Sequence, residues 1–311
     1  VSPLSPIIVL DSGLGGLTVA RAIRALLPRD EIVYFGDTAR LPYGSKSADT
    51  VTGFVKQIIA YLRPLHPKHI VIACNTATAL ALPAIREEFP NLSISGVIDP
   101  GARAAAMAAG TKLRPIIGVI ATEATIKSKA YNSALLRRRN LARIMTKAAP
   151  LLAPMIEEGR SDRDPLVRLA VRQYICPMLE KGMDVLVLGC THYPILADLI
   201  AEIVGPAVRV IDSAEQCAQD VAARLRSLGL MRTAGRNLPP MQCFVTDDPE
   251  RFASLGSRFL GVPIDPPTLV SIDRLTEALR EFQQHVRARS LQLHRPVMHE
   301  ASPEAAGDLV A

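Results

Sequence analysis

Short β-branched runs that repeatedly give way to helix-period segments restrict this chain to βαβ units built around parallel sheet. Ile7-Ile8-Val9-Leu10 precedes a helical stretch over 17–27, and Ile70-Val71-Ile72-Ala73 precedes one over 77–89. Further strands are predicted at 31–35, 94–98, 116–120, 184–188, 208–211 and 242–246. Ligands of such sheets sit beyond the carboxyl ends of the strands. The residues found there are polar or reactive: Asp11-Ser12, Asp37-Thr38, Cys74-Asn75-Thr76 and Cys190-Thr191-His192.

The two halves echo each other. Residues 70–76 and 186–192 are both apolar strands that end in a small residue, a cysteine and two polar residues, and a helix follows each. Two α/β lobes with mainly parallel sheets, related by a pseudo-twofold axis, produce such an echo, and the cleft between them is then the expected site. The predicted division is 1–98 plus 209–265 for the first lobe and 99–208 for the second. The remainder, 266–311, holds one amphipathic helix carrying Leu275, Leu279, Phe282 and Val286, and from Pro296 onward an Ala/Pro/Glu-rich tail expected to be flexible.

Composition removes several function classes. No stretch approaches the ~20 apolar residues of a membrane helix, and residues 1–10 lack the basic region and apolar length of a signal peptide. Five scattered cysteines without CxxC spacing fit neither a disulfide framework nor a zinc knuckle, so reduced thiols and a cytoplasmic location are expected. The net charge of +6 is modest, and its densest cluster, Arg137-Arg138-Arg139, reads as a solvated helix end rather than a nucleic-acid contact. His66 and His69 lack further ligands at metal spacing and read as a surface loop, so no metal site is expected. Gly13, Gly15 and Gly16 do not fit the GxGxxG spacing of a dinucleotide-binding turn.

Cys74 and Cys190 fit a specific chemistry. Exchanging the Cα proton of an amino acid between its two faces needs an acid and a base on opposite sides of the substrate. A thiol with a reference pKa of about 8.5 serves in either state after modest tuning. Each cysteine is expected at a helix start, where the helix dipole favours the thiolate. Cys176, Cys217 and Cys243 read as small hydrophobes. Asp11 has an alternative reading as the cap of the helix that follows.

The blocks 10–16, 34–44, 73–77, 121–126, 154–157 and 188–194 resemble, in order, the signature segments of bacterial glutamate racemases, in the aspartate/glutamate racemase family. The resemblance spans about residues 7–260. It implies an isomerase that interconverts L- and D-glutamate without a cofactor and supplies D-glutamate to peptidoglycan, and hence to cell-wall building and cell shape. Cys74 matches the thiol that takes the proton from the D-enantiomer, and Cys190 the one that takes it from the L-enantiomer. Asp11 and His192 match groups that assist the thiols, and Glu157 and Asp37 match acidic residues close by. Ser12, Pro42, Tyr43, Gly44, Asn75, Thr76, Thr125 and Thr191 match the substrate-holding positions, and Asp11 and Asp37 are also suited to accept from the ammonium. Two departures stand out: Ala149 occupies a position where the family usually has cysteine, and the C-terminal extension is longer than many members carry. The resemblance further implies a homodimer. Aspartate is the rival substrate, and a partner such as DNA gyrase, engaged through Arg137–Arg139 or the tail, is the rival role.

Overall fold

The computed structural model describes residues 1–235, 237 and 239–293, with side chains to 288. The expected tail from Pro296 lies outside the described residues. Among the described residues ten strands form two sheets: β1 (Ile7–Asp11), β2 (Ile32–Gly36), β3 (His69–Ile72), β4 (Ile94–Gly96), β5 (Ile116–Ala121), β6 (Arg143–Ala148), β7 (Val185–Gly189), β8 (Arg209–Asp212), β9 (Gln242–Val245) and β10 (Thr268–Leu269). The first sheet runs β10-β9-β2-β1-β3-β4 and the second β6-β5-β7-β8. Every ladder is parallel.

The strand orders explain the sequence echo. β2-β1-β3-β4 and β6-β5-β7-β8 have the same connectivity, so β3 and β7 occupy equivalent places, each beside the first strand of its sheet. Register continues the equivalence: Leu10 pairs with Ile72 just before Cys74, and Ala121 pairs with Gly189 just before Cys190. The fold is thus two α/β lobes with matching parallel sheets.

β1 and β7 are buried along their whole length, the pattern of a parallel sheet covered on both faces, which is why they read as unbroken apolar runs. Local capping starts the helices between strands. Ser47 accepts from the Thr50 N–H at the start of the helix Ala48–Leu62, and Thr122 caps Glu123–Lys127. The helix Leu17–Leu26 packs against Ser213–Ser227, which follows β8, and one apolar cluster runs through both lobes.

Several expectations are corrected. The strand expected at 208–211 forms over Arg209–Asp212, but this strand, β8, hydrogen-bonds β7, so the chain returns to the first sheet only beyond Asp212 rather than at 209. The run 94–98 is a strand only to Gly96, because a helix begins at Ile98. β6 and β10 escape the sequence pattern: β6 is a half-exposed edge strand carrying Arg143 and Lys147, and β10 has two residues. The C-terminal helix spans Ile272–Leu293, with Leu275 buried and Phe282 stacked on Phe89 at 4.7 Å. Arg137 and Arg138 reach Asp99, and Arg139 binds the carbonyls of Gly110 and Lys112, just past the helix Ala130–Leu136. Among the described residues no helix is long and apolar enough to cross a membrane.

His66 lies in an exposed turn, but His69 does not belong to a surface loop. It is the first residue of β3, 1% exposed, with Nδ1 2.7 Å from Ser93 Oγ and Nε2 2.8 Å from Ser95 Oγ. Burial, assisted by Arg224 and Arg86, pulls its pKa down to about 3. The unfolded chain therefore takes up a proton below about pH 6.5 while the native chain does not, and stability falls as the pH drops from there towards 3. We expect this one side chain to remove up to about 4 kcal/mol across that window. His69→Gln should flatten the difference in urea-unfolding free energy between pH 6.5 and 4. An unchanged pH slope in the variant would refute the assignment.

Candidate active site

The ends of β1, β3, β5 and β7 bring both cysteines to one place. Cys74 caps the helix Asn75–Glu88 after β3, Cys190 follows β7, and they are 6% and 7% exposed. The two thiols lie within electrostatic reach of each other. Each thiol has its own neighbours. Ser12 and the buried Asp11 carboxylate, which accepts from the Gly13 N–H at 3.0 Å, lie close to Cys74. Cys190 Sγ is 3.7 Å from His192 Nδ1, and His192 Nε2 is 2.8 Å from Glu157 Oε1. Thr191 links the two sides, donating to Asp11 Oδ1 at 3.5 Å.

Burial decides much of the electrostatics. It pushes the Cys74 thiol up to about 12, with the Asp11 carboxylate adding to it, against lowering by the Ala77 N–H and Ser12. The helix start alone therefore does not yield a resting thiolate at Cys74, because a dipole worth about 0.3–1 kcal/mol is outweighed by desolvation. Burial likewise raises Asp11, against the pull of His192. At His192 burial disfavours the charge, but hydrogen bonds to Cys190 and Glu157 prevail and raise its pKa well above the usual value. Cys190 is followed by a turn and the short helix Tyr193–Leu196 rather than by a long helix.

Of the other predicted residues, Asn75, Thr76, Thr125 and Thr191 are buried beside the thiols. Asn75 Oδ1 accepts from Tyr131 at 2.7 Å, and its Nδ2 is buried with no partner among the described residues. That leaves a neutral donor next to Cys74 for a ligand oxygen. Thr76 and Thr125 hydroxyls form a triangle with Thr122, at 2.9, 3.2 and 3.0 Å. Thr122 escaped the sequence reading, although its place directly after β5, three residues before Thr125, marks it as the helix cap.

Asp37 is placed differently from an ammonium acceptor. It is fully buried, takes Arg40 Nε on both oxygens at 2.9 and 2.8 Å, and accepts from Tyr43 and from Thr246, the latter at 3.0 Å. It anchors the loop that carries Pro42, Tyr43 and Gly44. That loop meets the second lobe: a Cβ at Gly44 would lie 2.7 Å from Thr122 Cβ. Gly15 is similarly demanded, since a Cβ there would lie 2.3 Å from Thr191 Oγ1 and 2.6 Å from His192 Nδ1. A cavity of about 160 Å³, lined by Leu14, Leu41, Glu157, Arg251 and Phe252, adjoins the site at Glu157.

Residues 17–221 match the model of the Asp/Glu/Hydantoin racemase family, well over half of the chain. The chain belongs to this family. A glutamate racemase of Geobacter metallireducens is 42% identical over 271 residues, covering 87% of this chain and 98% of that protein. The crystal structure of the Francisella tularensis glutamate racemase in complex with D-glutamate has a TM-score of 0.80 at 35% identity, covering 87% of this chain and 99% of that one. The Thermus thermophilus glutamate racemase in complex with β-chloro-D-alanine has a TM-score of 0.76 at 42% identity, covering 88% and 100%. The racemase fold and its two-lobed plan are thereby shared along nearly the whole length of these relatives.

Proposed function

We propose that this racemase interconverts L- and D-glutamate by two-base proton transfer, with Cys74 and Cys190 on opposite faces of Cα. The observation that carries the reading is the pair of buried thiols at equivalent strand ends of two matching sheets, each beside its own proton-handling group. In one direction the Cys190 thiolate takes the Cα hydrogen of the L-enantiomer, and the Cys74 thiol gives its proton to the other face. In the reverse direction the roles exchange.

The neighbouring groups suit this work. Asp11, with its pKa raised by burial, and Ser12 serve the Cys74 side, and His192, held by Glu157, serves the Cys190 side. Asn75, Thr76, Thr125 and Thr191 supply neutral donors for the substrate carboxylates, with the Tyr43 and Gly44 N–H groups and Ser12 as further donors. Glutamate is favoured over aspartate by the glutamate racemases that resemble the chain so fully. We place the reaction in the cytoplasm, where its product feeds peptidoglycan synthesis.

Circular dichroism of either enantiomer, incubated without added cofactor, tests this. Optical activity of glutamate should decay to zero from both sides, and aspartate should react about 10- to 200-fold more slowly, the discrimination one methylene permits. Faster turnover of aspartate would move the assignment to that substrate, and a requirement for pyridoxal phosphate would remove the thiol mechanism.

A further inference from the structure

We propose that Gln57 and Thr276 are positioning residues for the substrate loop, coupling the C-terminal helix to the site through a chain of hydrogen bonds. The chain begins at the Asp37 carboxylate, which holds the Tyr43 hydroxyl and both approaches of Arg40 Nε. Arg40, with 10% of its side chain exposed, extends away from Asp37 and donates through Nη1 to Gln57 Oε1 on the helix Ala48–Leu62. Gln57 Nε2 donates to Thr276 Oγ1 at 3.1 Å, and Thr276 donates to the Ile272 carbonyl at 3.0 Å. The first residues of the C-terminal helix thus terminate a relay that starts at the residue anchoring Tyr43.

Two features separate this relay from ordinary surface bonding. The Arg40 guanidinium lies 4.1 Å from the centroid of Phe54, whose ring packs 5.7 Å from Tyr43, and Arg40 Nη2 is buried without a partner among the described residues. A cation so enclosed depends on its remaining acceptors, Asp37 and Gln57, for its place. Arg40 has only donors, so the Gln57 oxygen must face it, and Thr276, whose hydroxyl proton goes to the Ile272 carbonyl, accepts from the Gln57 amide and holds that orientation. Leu275, the neighbour of Thr276, is fully buried in the same apolar cluster as Tyr43. Polar and apolar contacts therefore act on the same loop from the same helix. This assigns a role to the start of the C-terminal extension.

The inference rests on the proposed glutamate reaction, and its test has one arm that does not. In the full-length chain, Gln57→Leu and Thr276→Val should raise KM for both glutamate enantiomers about 3- to 10-fold, because a lost bond to a charged group loosens the loop, while kcat changes less than about 2-fold. Thr276→Ser should restore the wild-type KM. Hydrogen exchange should quicken at residues 38–46 in both disruptive variants, whatever the substrate is. Wild-type exchange in that segment overturns the relay. Faster exchange with an unaltered KM overturns its positioning role, and a wild type that leaves glutamate unchanged overturns the substrate assignment while the exchange arm still reads the relay.

Discussion

Cys74→Ser and Cys190→Ser are each expected to lower kcat for glutamate racemisation by about 10²- to 10⁴-fold in both directions, the range that a positioned acid or base contributes. Serine is close to cysteine in size and shape and its hydroxyl can hydrogen-bond the polar groups beside each thiol, so the thermal midpoint should move little although both side chains are buried, 6% and 7% exposed. The two variants are separable by their partial reactions. In deuterated water Cys74→Ser should lose Cα hydrogen exchange from D-glutamate while retaining part of that from L-glutamate, and Cys190→Ser should do the reverse. The directionality follows from one thiol facing each side of Cα. Full activity in either variant would falsify the two-base reading, and equal loss of exchange from both enantiomers in both variants would mean that neither thiol acts alone.

How much of this could be read from the residues depended on whether the signal was local. β1, β3 and β7 are covered on both faces, so their apolar runs and the reactive residues after them were plain in the sequence. β6 was not, because an edge strand with one wet face carries Arg143 and Lys147 in place of an apolar run. The lobe boundary at 209 was misplaced for a related reason: a strand's sheet is decided by its neighbour, and nothing within Arg209–Asp212 announces β7. His69 misled because a histidine near Pro67 resembles loop, whereas the two serines that satisfy its ring lie 24 and 26 residues away. Asp37 was seen as an acid near the site, but its donors Arg40, Tyr43 and Thr246 come from two separate segments, so its anchoring role appears only in the fold. The thiolate expected at Cys74 failed on magnitude, since a helix start is visible in sequence and the desolvation that outweighs it is not.

Gly15→Ala is expected to reduce activity by about 10²-fold, although it adds one methyl group at a position with no titratable chemistry. The backbone there is outside the left-handed region, so the effect is steric. The new Cβ would sit 2.3 Å from Thr191 Oγ1 and 2.6 and 2.9 Å from His192 Nδ1 and Cε1, and those groups are held in place by Asp11 and Glu157. The ring must shift, and a displacement of about 1 Å in a catalytic array costs on the order of 10² in rate. Overpacking should lower stability by about 1–3 kcal/mol. Gly53→Ala is the matched control. It lies inside the helix Ala48–Leu62 with nothing within 4 Å of the added carbon, and should gain about 0.5–1 kcal/mol with unaltered kcat. Because Thr191 directly follows Cys190 and His192 Nδ1 lies 3.7 Å from its sulfur, Gly15→Ala should slow Cα exchange from L-glutamate more than from D-glutamate. Gly16→Ala should show the opposite bias, since its Cβ would press on Asp11 Cβ at 2.6 Å and Ala73 Cβ at 3.0 Å, on the Cys74 side. Wild-type kcat in Gly15→Ala, or the same bias in both variants, would show that the two adjacent glycines do not each make room for one face of the site.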